Sequence, residues 1–316
     1  MRAAATQSRG GRAGTGAPIG VPGWAGRSAI AQSLRIFFDL FKLRIGLVIG
    51  FTALAGIAVT PGQPMPAWQI AVLALAVVVS AASAGAFNQY VERDLDVRMA
   101  RTRARPFVTG RLRHGPIWLW LIGLMCGISV VAAALAVNAI AALYVFLGAF
   151  FYAVVYTVWL KRRTWLNIVV GGLAGSFALL AGAAAVAPGR LDAVPLLLAV
   201  VLFLWTPPHF WSLAIAYHKD YEAAGVPMLP VVVGDARSAR VIFASAVALV
   251  ATSLLPGWFG AGWIYLVGAA GGGGYFIAKT LRLAREPNRA NAMTAFHASL
   301  LQLSLLLTAA IVDAAL

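Results

Sequence analysis

The chain has 316 residues, of which 61% are hydrophobic and only 11% charged, and its formal net charge is +15. Soluble domains carry about 25% charged residues, and so few charged side chains could not cover a soluble globule without leaving large apolar patches. The composition excludes a soluble enzyme, a disordered chain and a collagen-like chain; with its hydrophobic runs of bilayer-spanning length, it predicts an all-α polytopic membrane protein.

In chain order, residues 1–38 contain five arginines (Arg2, Arg9, Arg12, Arg27 and Arg35) and no acid. They lack the continuous apolar stretch of a secretory signal. Residues 1–35 are therefore expected to be a disordered basic leader on the cytoplasmic side, with an Arg-rich mitochondrial transit peptide as the alternative. Residues 36–316 are expected to form one transmembrane domain. Apolar runs and their breakers predict nine helices, near 45–61, 67–90, 117–137, 139–160, 166–187, 194–216, 240–259, 262–281 and 296–315. The third and fourth are separated only near Asn138. If the N-terminus is cytoplasmic, the inward segments hold 24 of the 25 Lys and Arg residues, and only Arg190 falls outside. That asymmetry follows the positive-inside rule and requires an odd number of spans. It predicts a cytoplasmic N-terminus and an outer C-terminus; separately, a bacterial plasma membrane is expected over the mitochondrial inner membrane.

The basic excess is read as membrane-facing, in contact with lipid headgroups; no nucleic-acid recognition module accompanies it, so no nucleic-acid partner is expected. The single cysteine, Cys126, permits no intrachain disulfide and no Cys-based metal site. The glycine run Gly271–Gly274 lacks phosphate-loop context and suits close helix packing.

The chain has only ten acids, and six of them occupy two expected cytoplasmic segments. Glu92, Asp94 and Asp96 lie in NQYVERDLDVRMARTRARP; Asp220, Glu222 and Asp235 lie in YHKDYEAAGVPMLPVVVGD. Asn88, Glu92 and Asp96 are spaced i, i+4, i+8, which places their oxygens on one stripe about 80° wide. A carboxylate stripe at a membrane surface suits Mg2+, a hard cation that takes one or two carboxylates, waters and a substrate phosphate. Asp94 points away from the stripe, toward Arg98 or Arg101. Arg101, Arg103, Arg105, Arg111 and Arg113 follow as donors suited to phosphate oxygens. The bland alternative is a juxtamembrane loop whose acids pair with arginines for solubility. Asp220, beside Lys219, could equally be a cap or a surface residue.

The stripe followed by MARTRARP (99–106) resembles the first aspartate-rich motif of the UbiA-type intramembrane prenyltransferases. TPPHFWSLAIAYHKDYEAAGVPMLPVVVG (206–234) resembles the second-motif segment of the heme O synthase branch of that superfamily. YTVWLKRRTWLNIVVGG (156–172) and KLRIGLVIG also resemble it, and the similarity covers roughly residues 36–315. The resemblance implies nine transmembrane helices around a central cavity, with both acidic motifs on one side holding Mg2+ against a prenyl diphosphate. Carried over residue by residue, it makes Asn88, Glu92, Asp96 and Asp220 the metal and catalytic positions, with Lys219. It makes Arg44, Arg103, Arg105, Lys161 and Lys219 the diphosphate contacts. Glu92 stands where many members have Asp, Ala224 where other branches have a second Asp, and Leu43 and Trp165 where prolines are usual.

The branch further implies farnesyl diphosphate as donor, the vinyl group of heme b as acceptor, and water completing the product's hydroxyethylfarnesyl group. Heme A synthase is a candidate partner. His209 is read in two ways, as a heme iron ligand or as a histidine hydrogen-bonded inside the bundle. A quinone precursor or other aromatic compound is the alternative acceptor. Outside this class stand a secondary transporter, which expects ionisable residues deep in its spans, and a structural assembly factor.

Overall fold

A computed structural model of the chain describes residues 29–316. The described residues form a helical bundle with no β-strand. The chain opens with α1 (Ala29–Phe41), which meets α2 (Leu43–Ala58) at a 48° bend. Residues 29–35, expected to belong to the leader, are thus the first turns of a helix, because Leu34, Phe37, Phe38 and Phe41 repeat at helical spacing. Leu40 and Phe41 bury themselves in one core and anchor the helix. The leader expectation and its transit-peptide alternative otherwise fall on residues 1–28, outside the described residues.

Next come α3 (Ala67–Val91), the short α4 (Arg93–Arg98), α5 (Ile117–Ala136) and α6 (Ala139–Phe150), which continues as a π-helix over Phe151–Leu160. Asn138 makes the sharp division between α5 and α6. Its side-chain oxygen accepts from the Ala141 N–H at 2.8 Å, while its amide donates to the Ala184 carbonyl at 2.9 Å. The first half closes with α7 (Asn167–Gly171) and α8 (Leu173–Val186).

The second half holds α9 (Ala193–Ala216), α10 (His218–Ala223), α11 (Leu229–Val233), α12 (Asp235–Leu254) with a 3-10 turn over Leu255–Phe259, α13 (Trp263–Arg285) and α14 (Arg289–Ala315). α9 runs unbroken through Pro207 and Pro208, as the expected span over 194–216 requires. Proline is tolerated there because packed neighbours and hydroxyls re-satisfy freed backbone groups in a membrane bundle; Ser212 Oγ donates to the Pro208 carbonyl at 2.7 Å.

Each of the nine expected segments is helical. Among the described residues, seven helices are long and apolar enough to cross a membrane, and the bent pair α1–α2 makes an eighth. α13 is 23 residues long, but its four consecutive glycines and Lys279 dilute its hydropathy. Large apolar side chains face outward, including Trp120 at 78% and Leu135 at 84% exposure on α5. Such a surface is stable only against lipid; the chain is an integral multi-pass membrane protein.

Small residues set the close packing. α2 and α8 touch backbone to backbone, since a Cβ on Gly56 would collide with the Leu179 carbonyl and one on Gly182 with the Ala53 carbonyl. The basic connecting segments meet at one end of the bundle. Lys42 reaches Asn88, Lys161 reaches Glu92, the Arg101 backbone reaches Asp220, and Arg289 lies over Tyr217. Arg190 is at the other end, held by the Pro61 carbonyl and Asp192.

Candidate active site

Inside the first half, closed on one side by α9, lies a chamber of about 250 Å³. Its deep wall is apolar and small-sided (Val77, Ala81, Val145, Ala149, Ala174, Ala178), while its mouth carries Lys42, Asn88, Arg101, Arg105 and Lys161. The mouth lies at the end where the basic segments converge.

The stripe of the first motif survives a change of helix. α3 ends at Val91 and α4 begins at Arg93, yet the Glu92 N–H still donates to the Asn88 carbonyl (3.0 Å) and the Asp96 N–H to the Glu92 carbonyl (2.9 Å). Glu92 and Asp96 are both about 1% exposed and Asn88 is 2% exposed. Buried carboxylates require partners, and each has one. Lys161 Nζ sits 2.6 Å from the Glu92 carboxylate, and Arg105 grips Asp96 through both carboxylate oxygens at 2.7 and 2.8 Å. Burial pushes the Asp96 carboxyl up from the ordinary aspartate range, against the pull of Arg105. Asp94 does face away, as the helical angle requires, but its partner is Arg162, at 2.8 Å to each oxygen, and not Arg98 or Arg101. That exposed hydrogen-bonded pair holds the Asp94 carboxyl below its ordinary value.

The cations therefore face the chamber and the carboxylates stand behind them. Asn88 forms part of the wall. Its Oδ1 accepts from Lys42 Nζ at 2.8 Å, and its amide donates to Thr157 Oγ at 3.2 Å. Lys42 also donates to the Tyr152 hydroxyl at 3.0 Å. It occupies the bend between α1 and α2 with φ +47°, a left-handed conformation unusual for a side chain of this size. Its stem passes over Gly85, where a Cβ would come within 3.4 Å of it. A strained residue at a cavity mouth points to a functional constraint.

Lys42, Tyr152 and Tyr156 were not singled out from the sequence. The only local signal at Lys42 is the basic start of KLRIGLVIG, where Lys42 and Arg44 flank Leu43. Arg44, Arg103 and Lys219 are exposed and lie outside the chamber lining, whereas Arg105 and Lys161 form part of it. Asp220 lies across the rim, its carboxylate accepting the Arg101 backbone N–H at 3.2 Å. Ala224 is buried in an apolar cluster, a poor place for the second aspartate of other branches. His209 is 5% exposed and absent from the chamber lining. Its ring stacks between Trp205 and Phe296, at 4.1 and 4.5 Å between centroids, and Nδ1 lies 2.7 Å from Ser299 Oγ.

No three carboxylate, histidine or cysteine side chains converge as a metal cage among the described residues. The donor set nevertheless fits Mg2+, which needs only one or two carboxylates when phosphate oxygens and water complete its shell. Hard oxygen donors at Glu92 and Asp96, with Asp220 opposite, provide that minimum where the ion takes the place of Lys161 and Arg105 against the two carboxylates. A cationic mouth over an apolar chamber suits a molecule with an anionic head and a hydrocarbon tail.

Residues 49–306 match the UbiA prenyltransferase family, and the chain belongs to it. It is 56% identical over 285 residues to protoheme IX farnesyltransferase 2 of Paramagnetospirillum magneticum, covering 90% of this chain and 98% of that relative. It is 38% identical over 286 residues to protoheme IX farnesyltransferase 1 of Cenarchaeum symbiosum, covering 89% and 96%. Among solved structures, a digeranylgeranylglyceryl phosphate synthase shares the fold with a TM-score of 0.70 at 18% identity, over 90% of this chain and 99% of that one. A UbiA homolog from Archaeoglobus fulgidus bound to GPP and Mg2+ shares it with a TM-score of 0.65 at 14% identity, over 89% and 100%. The protein is a prenyltransferase of that family.

Proposed function

We propose that this prenyltransferase moves the farnesyl group of farnesyl diphosphate onto a vinyl group of heme b, giving heme O and diphosphate. The observation that carries the reading is the near full-length 56% identity to a protein named for that reaction. The chamber suits the donor, since its cationic mouth meets the diphosphate and its apolar wall the farnesyl chain.

Breaking the allylic C–O bond leaves negative charge on the diphosphate and positive charge on the farnesyl carbon. Lys42, Arg101, Arg105 and Lys161 stabilise the departing anion where its charge develops. Glu92 and Asp96 aim the last two of these cations from behind. The apolar wall keeps water from the farnesyl cation until the vinyl carbon takes it up and forms the new C–C bond. A water molecule then adds at the neighbouring carbon and releases a proton, which balances the hydroxyethylfarnesyl product. Glu92, Asp96 and Asp220 would hold Mg2+, which when bound supplies further charge neutralisation for the leaving group; the Archaeoglobus fulgidus homolog of this fold bound to GPP and Mg2+ supports that assignment.

The charge asymmetry supports a cytoplasmic N-terminus and an outer C-terminus, and the 56% identity to a bacterial relative supports a bacterial plasma membrane. The same reading makes heme A synthase a candidate partner that takes over the product. The test is mass analysis of heme after incubating purified protein with farnesyl diphosphate and heme b. Conversion to the hydroxyethylfarnesyl product is expected; prenylation of a hydroxybenzoate with heme left untouched would replace this reading by the quinone-precursor alternative.

A further inference from the structure

A second cleft, of about 340 Å³, opens beside the chamber, between α1 and the segment that follows α4. It shares Lys42, Ile45, Arg101 and Arg105 with the chamber wall, so the two spaces are neighbours across a common partition. Around it stand Arg35, Lys42, Arg101, Arg105 and Arg111, against the single acid Asp39. Among the described lining residues five are basic and one is acidic; Arg105 holds Asp96 and Arg35 lies 3.8 Å from Asp39. The floor is fixed by Gln89, whose amide donates to the Asp39 and Leu40 carbonyls at 2.6 and 3.1 Å.

Resting on the acceptor assigned under Proposed function, we infer that this cleft seats the propionate carboxylates of the porphyrin while its vinyl edge enters the chamber. Vinyl and propionate groups lie on opposite edges of a heme b ring, so an acceptor whose vinyl carbon meets the farnesyl cation carries its carboxylates away from that point. Carboxylates are expensive to place in hydrocarbon and must stay at the polar rim. The cleft is at that rim, next to the chamber, and offers arginines, the side chains best matched to carboxylates. The shared cations then serve two anions, the diphosphate on one side and the propionates on the other, while Arg35 and Arg111 belong to the acceptor side alone.

The test compares heme b with its dimethyl ester as acceptor, using the full chain and the variants Arg35→Gln, Arg111→Gln and the double variant. Wild type should prefer the diacid by about tenfold or more in kcat/KM, the effect of one charge-assisted contact. In the double variant that preference should fall below about threefold, through loss of diacid turnover rather than gain on the ester, with the KM for farnesyl diphosphate unchanged. Both arginines are on the surface, so thermal unfolding should match wild type. A double variant that keeps the wild-type preference, or a wild type that turns over diacid and diester alike, overturns the propionate seat and leaves the acceptor reading standing. A defect appearing in the KM for farnesyl diphosphate instead assigns the cleft to the leaving diphosphate and also overturns it. A wild type that converts neither porphyrin overturns the acceptor reading and this inference with it.

Discussion

The pair formed by Glu92 and Lys161 separates a structural role from a functional one. Their side chains are 2% and 11% exposed and lie 2.6 Å apart, so neither charge has water to fall back on. Glu92→Gln removes the carboxylate and leaves a buried ammonium without its counter-ion; breaking such a pair from one side costs about 3–5 kcal/mol. Removing both charges in Glu92→Gln/Lys161→Met takes away the desolvated ions together, and stability should return to within about 1 kcal/mol of wild type. Turnover should not return with it. Lys161 faces the chamber mouth, and losing one preorganised cation at a developing anion costs about 10²–10³-fold in rate. Unfolding of the purified protein in detergent reports the first quantity, and diphosphate release from farnesyl diphosphate reports the second. A double variant that regains both stability and wild-type turnover would refute the reasoning, since the two groups would then serve only each other.

Asp96→Asn should lower turnover by about 10²–10³-fold while the protein inserts and extracts normally, because Arg105 loses its two-oxygen grip; a steady-state assay with and without a Mg2+ chelator checks both the variant and the proposed ion. Gly56→Leu forces side-chain atoms into the Leu179 carbonyl and should destabilise the bundle by roughly 1–3 kcal/mol or more; an unchanged unfolding midpoint would contradict the contact between α2 and α8. His209→Ala should leave the absorption spectrum of bound heme unchanged and cost about 3 kcal/mol through the lost ring packing. A shifted spectrum would return His209 to the role of iron ligand.

Much of the architecture is legible before any coordinates, because in lipid the hydrophobic run and the helix are nearly the same object. Boundaries that depend on one side chain are legible too, as at Asn138, whose short polar group caps α6. The i, i+4, i+8 stripe of Asn88, Glu92 and Asp96 follows from helix geometry alone, and it persists across the junction of α3 and α4 because the hydrogen bonds at Glu92 keep the helical interval. Partners are harder to read. Arg162 meets Asp94 from 68 positions away and Lys161 meets Glu92 from 69, and no local spacing encodes either meeting. Arg44 and Lys42 look alike in the sequence, and only the left-handed backbone at Lys42 decides which of them enters the chamber.

The π-helix explains why the opposite wall is the least visible part of the site. Tyr152, Tyr156 and Lys161 all line the chamber. At 3.6 residues per turn Lys161 would stand about 180° around the axis from Tyr152, so an ordinary helix through Phe151–Leu160 would turn the lysine away from the tyrosines. A π-helix has roughly 4.4 residues per turn, which brings the same two positions within about 20°. The wider winding is locked by contacts five residues apart. Thr157 Oγ donates to the Tyr152 carbonyl at 2.8 Å, and the Lys161 N–H donates to the Tyr156 carbonyl at 2.9 Å. It also stacks the two tyrosine rings at 5.6 Å, 13° from parallel. A reader assuming the α period therefore assigns Lys161 to the wrong face, and only the likeness of the stretch 156–172 to known prenyltransferases points to it. The winding costs backbone regularity over ten residues and in return aligns an ammonium with two phenol rings on the wall of the same chamber. That exchange sets the three groups where a single molecule in the chamber would meet all of them.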